Sequence, residues 1–379
     1  MNESPPSSPP LLRLDTVSIN LGGRPIVKDL SFALHSGRIA CLLGPSGCGK
    51  TTILRAIAGF QAIHDGQILL DGDRVNDRRR TLAPERRRIG MVFQDFALFP
   101  HLSLADNIGF GIRHLSRAQR RDRVAQLLEL VDLSGYQQRY PHQLSGGQQQ
   151  RIALVRALAP RPRLLLMDEP FSSMDSDLRE SLARDVRDIL HQEQVSAILV
   201  THDQLEAFAM SDEIGLLRDG ELVQWDTGYN LYHHPTNRFV AGFIGQGVLL
   251  DAKVHSPKEL DTPLGVIKGR VPEDCRAGCP VKVLIRPDDI QHDDASPMTA
   301  TVRERAFRGA EFLYTLELAD GSRVLSLVPS HHDHRIGERI GIVLEVDHLV
   351  TFKRQPEFGE KAAKLRLEYT GFNQPYSRG

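Results

Sequence analysis

The stretch Ile39-Ala40-Cys41-Leu42-Leu43-Gly44-Pro45-Ser46-Gly47-Cys48-Gly49-Lys50-Thr51-Thr52 constrains this chain more than any other. Its first five residues are almost wholly apolar, as expected of a central strand buried on both faces. The remainder fits G-x-x-x-x-G-K-[ST]. Ile53, Leu54 and Ile57 then recur with the spacing of one helix face, and Gly59 is placed to end that helix. A strand, a glycine-rich turn and a helix in this order make a phosphate cradle. Successive backbone N–H groups curl into an anion nest, and the helix start adds partial positive charge. Lys50 is expected to reach the β- and γ-phosphates. The Thr51 hydroxyl is expected on Mg²⁺, and Thr52 on an α-phosphate oxygen.

Two further apolar runs end in polar residues. Leu164-Leu165-Leu166-Met167 leads into Asp168-Glu169, and Ser196-Ala197-Ile198-Leu199-Val200 leads into Thr201-His202-Asp203. A buried parallel strand delivers whatever follows it to the carboxyl edge of the sheet, where the phosphate loop also lies. Asp168 is therefore expected to hold Mg²⁺ through water, Glu169 to polarise the water that attacks the γ-phosphate, and His202 to contact that phosphate. Phosphoryl transfer asks mainly for positioning and charge compensation, so one carboxylate orienting an in-line water is a sufficient minimal catalyst.

Between those strands lies Leu144-Ser145-Gly146-Gly147-Gln148, followed by Gln149-Gln150-Arg151, and Gln94 follows Met91-Val92-Phe93. With the phosphate loop, the carboxylate strand and His202, this ordered set resembles the ATP-binding cassette (ABC) proteins across most of the first 245 residues. The resemblance implies an α/β cassette of the P-loop NTPase type, with a mixed sheet and an inserted helical subdomain. It implies catalytic roles for Glu169, His202, Gln94 and Lys50, and Mg²⁺ contacts from Thr51, Gln94 and Asp168. Ser145 suits a helix N-cap, and Gly146 and Gly147 expose N–H groups at a helix start. In the family that signature meets ATP held by a second subunit, so the resemblance implies a homodimer of cassettes. Gln94 would relay closure to two integral membrane permease subunits, served by a periplasmic solute-binding protein. The protein would lie peripherally on the cytoplasmic face of the cell inner membrane.

The sequence departs from the family in places. Leu21 stands where an adenine-stacking aromatic is usual, and Ser172-Ser173-Met174-Asp175 replaces Ser-Ala-Leu-Asp while keeping Asp175. Cys48 sits near a helix N-terminus, which predicts a lowered thiol pKa and a labelling-sensitive site that ATP protects.

The organisation reads as a Pro/Ser-rich leader (1–10), the cassette (11–245), an accessory domain (246–355) and a tail (356–379). Residues 95–143 read as the helical subdomain. There, Ser116 to Gln119 fits a capping box, and Val124, Leu127, Leu128 and Val131 mark an apolar face. Phe96, Leu98, Phe99 and Pro100 suit a partner-docking surface or ordinary core. In the accessory domain Phe312, Tyr314, Leu316 and Leu318 alternate with polar residues, Asp320-Gly321 supplies a hairpin turn, and Ile340, Ile342, Leu344 and Val346 repeat the period of two. This predicts a small all-β, OB-like barrel, and Leu284-Ile285-Arg286-Pro287-Asp288-Asp289-Ile290 resembles the TOBE-type barrel of importer cassettes.

Lys and Arg total 47 against 48 for Asp and Glu, so no nucleic-acid partner is expected. The arginines at 78–80 and 86–88 read as a solvated face. No apolar run approaches the ~20 residues of a membrane-spanning helix. The four cysteines suit a reducing cytosol. Cys275 and Cys279 read as loop thiols, and His331, His332 and His334 with Asp333 as a solvated loop. Gly242 to Gly247 resembles ferric-ion importers, whereas Pro84 to Gly90 is shared with polyamine, sulfate and sugar importers. Ferric ion is the favoured cargo. A non-transport cassette ATPase would be expected to carry a long coiled-coil insertion or tandem cassettes, and neither is visible.

Overall fold

The computed structural model describes residues 9–353 apart from 173, 175, 270, 272–274 and 347, and the backbone alone at 176–178. Most of the expected leader, the tail from 356 and Asp175 lie outside the described residues. Two compact units divide between Thr236 and Asn237. The break was expected after 245. It falls earlier because the buried Arg286 guanidinium donates to the carbonyls of Ala241 (3.0 Å), Gly245 (3.3 Å) and Gln246 (3.0 Å), holding that segment in the second unit.

The first unit begins with β1 (Leu12–Leu21), β2 (Arg24–Leu34), β3 (Ile39–Leu43), α1 (Lys50–Ala58), β4 (Asp65–Leu70), β5 (Asp73–Asp77) and β6 (Ile89–Val92). It continues through α2 (Leu104–Gly109), α3 (Arg117–Leu130), α4 (Gly146–Leu158), β7 (Leu164–Asp168), α5 (Ser176–Gln192), β8 (Ser196–Thr201), α6 (Gln204–Met210), β9 (Glu213–Arg218), β10 (Glu221–Asp226) and α7 (Gly228–His233). One sheet is antiparallel, in the order β2-β1-β4-β5; the other runs β10-β9-β3-β8-β7-β6. In the second sheet β3 pairs in parallel with β8 and β9, and β7 with β8 and β6. Every residue of β3, β7 and β8 is buried, which is why their sequences are apolar runs without alternation. Parallel pairing puts the residues after β3, β6, β7 and β8 along one edge.

Within 95–143 the described elements are α2, α3 and short 3₁₀ turns. The Ser116 hydroxyl accepts from Gln119 N, and Gln119 Oε1 from Ser116 N, which closes the capping box that starts α3. Val124, Leu127, Leu128 and Val131 are all buried, and so is Phe96. Phe96 is thus core rather than docking surface. Among the described residues no helix is long and apolar enough to cross a membrane.

The arginine run is not wholly solvated. Arg87 is 2% exposed, and its guanidinium donates to Ala56 O (2.9 Å), Ile57 O (2.7 Å), Leu82 O (2.8 Å) and Val75 O (2.9 Å). Two of these are last-turn carbonyls of α1, which have no helical partner and carry the negative end of the dipole. Burial lowers the Arg87 pKa to about 10. The other five arginines of the run are exposed.

The second unit contains α8 (Arg238–Phe243), β11 (Val248–Ser256), β12 (Glu259–Thr262), β13 (Gly265–Lys268), β14 (Pro280–Ile285), β15 (Ile290–His292), β16 (Thr299–Phe307), β17 (Glu311–Glu317), β18 (Arg323–Pro329), β19 (Arg339–Leu344) and β20 (Val350–Lys353). Two five-stranded antiparallel sheets, β13-β12-β11-β14-β20 and β15-β19-β16-β17-β18, enclose one core in a nearly closed barrel. Alternation gives that core its members: Phe312, Tyr314 and Leu316 point inward from β17, and Val324 and Val328 from β18. The loop after β18 differs from expectation. His332 and His334 are half-buried and pack against His292 rather than facing solvent, although His331 is exposed. Cys275 and Cys279 lie with their sulfurs 3.1 Å apart against the same core.

Candidate functional site

The turn after β3 depends on two glycines at positions where a side chain would be strained. Gly44 has φ 155°, and a Cβ there would lie 2.4 Å from Leu217 O. Gly49 caps α1 at φ 102°, where a Cβ would press within 3.2 Å of Ile26 O. Between them Gly47, at φ 82°, faces open space. Lys50 is 5% exposed, and its ammonium donates to Gly44 O (2.8 Å) and Pro45 O (3.0 Å), so it lies across the loop that Gly44, Pro45, Ser46, Gly47, Cys48 and Gly49 form. Thr51 and Thr52 open the first turn of α1.

The edge of the parallel sheet brings the other residues together. Thr51 Oγ1 donates to Asp168 Oδ1 at 2.9 Å, joining the phosphate loop to the end of β7. Burial raises the Asp168 pKa, and the Thr51 hydrogen bond and the charges of Arg55 and Lys50 oppose the rise. Glu169 takes φ 45°, rare for a side chain of this size, and its N–H donates to Val200 O at 2.9 Å on β8. Its carboxylate lies 3.5 Å from His202 Nδ1. Gln94 Nε2 donates to Ser172 Oγ (3.3 Å), which in turn donates to Glu169 O (3.0 Å). Gln94, Asp168 and Ser172 line a cleft of about 710 Å³ together with Arg55, Phe93 and Asp95.

Sequence reasoning missed Ser172 and Arg55. Arg55 stands four residues after Thr51, one helical turn on, and Ser172 three after Glu169, so both spacings were available as a signal. The donor set consists of a hydroxyl, a carboxylate and an amide oxygen, which fits a small hard divalent cation.

Cys48 runs against expectation. It is 5% exposed, and burial raises its thiol pKa despite the opposing charge of Lys50. Desolvation of the thiolate outweighs the Lys50 charge and the backbone hydrogen bonds that favour it. Leu21 ends β1 and is 41% exposed.

The signature folds as its residue types dictate. Ser145 caps α4, its hydroxyl accepting from Gln148 N (3.4 Å) while Gln148 Oε1 accepts from Ser145 N (3.1 Å). Leu144 is buried, and a Cβ on Gly146 would meet nothing within 4 Å. Among the described residues no hydrogen bond or ion pair links Leu144, Ser145, Gly146, Gly147 or Gln148 to the phosphate loop, and none of them lines the 710 Å³ cleft.

Residues 27–172 match the ABC transporter family, and residues 283–352 the TOBE domain. The chain is 40% identical to the "Fe(3+) ions import ATP-binding protein FbpC 2" of Pectobacterium atrosepticum, over 88% of this chain and 97% of that protein. It is 41% identical to FbpC of Pseudomonas fluorescens, over 87% of this chain and 95% of that one. It is also 36% identical to the "Spermidine/putrescine import ATP-binding protein PotA" of Aggregatibacter actinomycetemcomitans, over 88% and 94%.

Proposed function

The chain belongs to the ABC transporter family and carries a TOBE domain, and on that premise we propose that it drives ferric-ion uptake by hydrolysing ATP between two copies of itself. It is the ATPase subunit of an ABC importer. The observation that supports the two-copy reading is the signature itself: Ser145 and the first-turn N–H groups of Gly146 and Gly147 start a helix on the same chain, yet among the described residues no hydrogen bond ties them to the phosphate loop. A helix start is a competent anion site. Facing the γ-phosphate of a second chain's nucleotide gives it a ligand.

In this reading the N–H groups of Ser46 to Thr52 bind the phosphate chain, and Lys50 neutralises charge on the β- and γ-phosphates. Thr51, Asp168 and Gln94 would hold Mg²⁺, which when bound supplies further charge compensation. Glu169 takes up the proton side of the attacking water and orients it. His202, 3.5 Å from that carboxylate, would contact the γ-phosphate. Ser172 ties Gln94 to the Glu169 backbone, so closure felt at Glu169 moves Gln94, the residue that would transmit it to two permease subunits. Phosphate release then opens the dimer, as in other γ-phosphate switches. The protein would sit peripherally on the cytoplasmic face of the inner membrane, its complex fed by a periplasmic solute-binding protein.

Ferric ion is favoured by the FbpC relatives at 38–41% identity, with polyamine the second reading because PotA relatives stand at 36–37%. The test is reconstitution with the candidate permeases. Turnover stimulated by a ferric-loaded binding protein supports the iron reading, and stimulation by a polyamine-loaded one alone rejects it.

A further inference from the structure

Three histidines of the second unit converge although they come from separate segments. His292 ends β15, and His332 and His334 lie in the loop between β18 and β19. Each offers one ring nitrogen such that all three atoms lie within 4.8 Å of one another, and among the described residues they form the one such group of His, Cys, Asp or Glu. The ring of His292 stands 4.7 Å from that of His332 and 4.6 Å from that of His334. The His292 side chain is 5% exposed and that of His334 14%. The Nε2 atoms of both are buried without a hydrogen-bond partner. Asp294 Oδ1 lies 3.0 Å from His292 Nε2 without making a hydrogen bond.

A buried polar atom left unpartnered is costly, and the Nε2 of His334 is one within a cluster of three imidazoles, which suits a ligand. The surroundings hold the His334 ring and the backbone of the turn that carries His332 and His334. Glu338 Oε1 lies 3.0 Å from His334 Nδ1, which favours the proton there and leaves Nε2 with its lone pair, the carboxylate–histidine arrangement found behind metal ligands. The hydroxyl of the fully buried Tyr314 donates to His332 O (2.8 Å) and accepts from His334 N (3.0 Å), pinning both ends of the His332–His334 turn. Arg305 holds the turn from outside, through Asp333 and His334 O.

We propose that His292, His332 and His334 bind a divalent first-row transition ion of the zinc type, with Asp294 at hand as a fourth, oxygen ligand. Imidazole nitrogens favour such borderline cations, and three of them plus one further position is a common zinc arrangement. Tetrahedral zinc holds its nitrogens about 3.3 Å apart, given Zn–N bonds of about 2.0–2.1 Å. Binding would draw the three nitrogens in from their span of at most 4.8 Å. The donor set separates this site from the nucleotide site, whose oxygen donors suit Mg²⁺, and from hard ferric ion. Binding would tie the end of β15 to the β18–β19 loop. The inference does not depend on the cargo or on the two-copy reading.

The test is equilibrium dialysis of the full chain against zinc chloride at low micromolar concentration without nucleotide, with metal counted by elemental analysis. One zinc per chain is expected. His292→Ala, His332→Ala and His334→Ala should each weaken binding at least tenfold, and Glu338→Gln about tenfold through its hold on His334. His331→Ala and the Cys275→Ser/Cys279→Ser pair should change nothing. Because a histidine variant could misfold, the native chain is also loaded with Co²⁺, where visible bands of tetrahedral nitrogen ligation without thiolate charge transfer are expected. Failure to retain zinc, retention indifferent to the three histidines, or a thiolate-type cobalt spectrum would overturn the proposal.

Discussion

Thr51 Oγ1 hydrogen-bonds Asp168 Oδ1 at 2.9 Å, so the first turn of the phosphate-loop helix is tied to the end of the strand that carries the acids. Burial raises the Asp168 pKa. The sign follows from linkage: a carboxylate with a raised folded pKa favours the fold below the ordinary carboxylate range and loses that contribution as pH rises. Cation binding needs the ionised form and runs the opposite way. MgATP affinity, measured by titration across a pH series, is therefore expected to fall as pH drops through the raised Asp168 pKa. Asp168→Asn should flatten that dependence and lower turnover at least 100-fold, equivalent to about 2.7 kcal/mol.

Cys48 should behave as a slow thiol. Its burial and raised pKa mean little thiolate near neutral pH, so iodoacetamide labelling should be slower than that of a free thiol and accelerate with rising pH. Bound ATP should slow it further, because the loop that carries Cys48 would then be covered. Fast labelling at neutral pH, followed by mass spectrometry, would show that the helix field dominates after all.

Arg87 satisfies four carbonyls from one buried guanidinium. Arg87→Ala leaves those acceptors without their donors, and a loss of more than about 2 kcal/mol is expected in urea denaturation. Arg87→Lys should recover only part of it, since one ammonium cannot reproduce the planar fork.

Asp289 gives the barrel a pH dependence. Burial pushes its carboxyl up to about 6, against the N–H of Arg286, which donates to it at 2.7 Å and favours the charged form. The stability contribution is fully present below the ordinary carboxylate value and is lost as pH rises towards 6. Asp289→Asn should therefore stabilise the second unit at pH 7 by about 1 kcal/mol, allowing for solvent screening, and leave it unchanged near pH 3. Thermal unfolding at the two pH values distinguishes this from a uniform effect.

Much of the fold was legible because apolar runs and turn residues speak locally. The strands at 39–43, 164–168 and 196–201 are buried throughout, so their composition alone marked them as central. The alternation in 311–317 likewise named its inward face. Where the reading failed, the deciding interaction was distant in sequence. Arg87 resembles its charged neighbours until α1 presents its carbonyls, and Cys48 resembles an activated thiol until packing removes water from it. His292 gave no sign of meeting His332 and His334, because only the barrel's closure brings β15 beside that loop. The tie from Gln94 to Ser172 likewise joins residues far apart in sequence, although the spacing of Ser172 from Glu169 was a local signal.

The most direct test of the two-copy site is sedimentation velocity of the Glu169→Gln chain with and without MgATP. This variant should retain nucleotide but stall hydrolysis, so MgATP should convert single chains into stable dimers, and Ser145→Arg should abolish the conversion. Single chains alone in the presence of MgATP, with the permeases also supplied, would contradict the account.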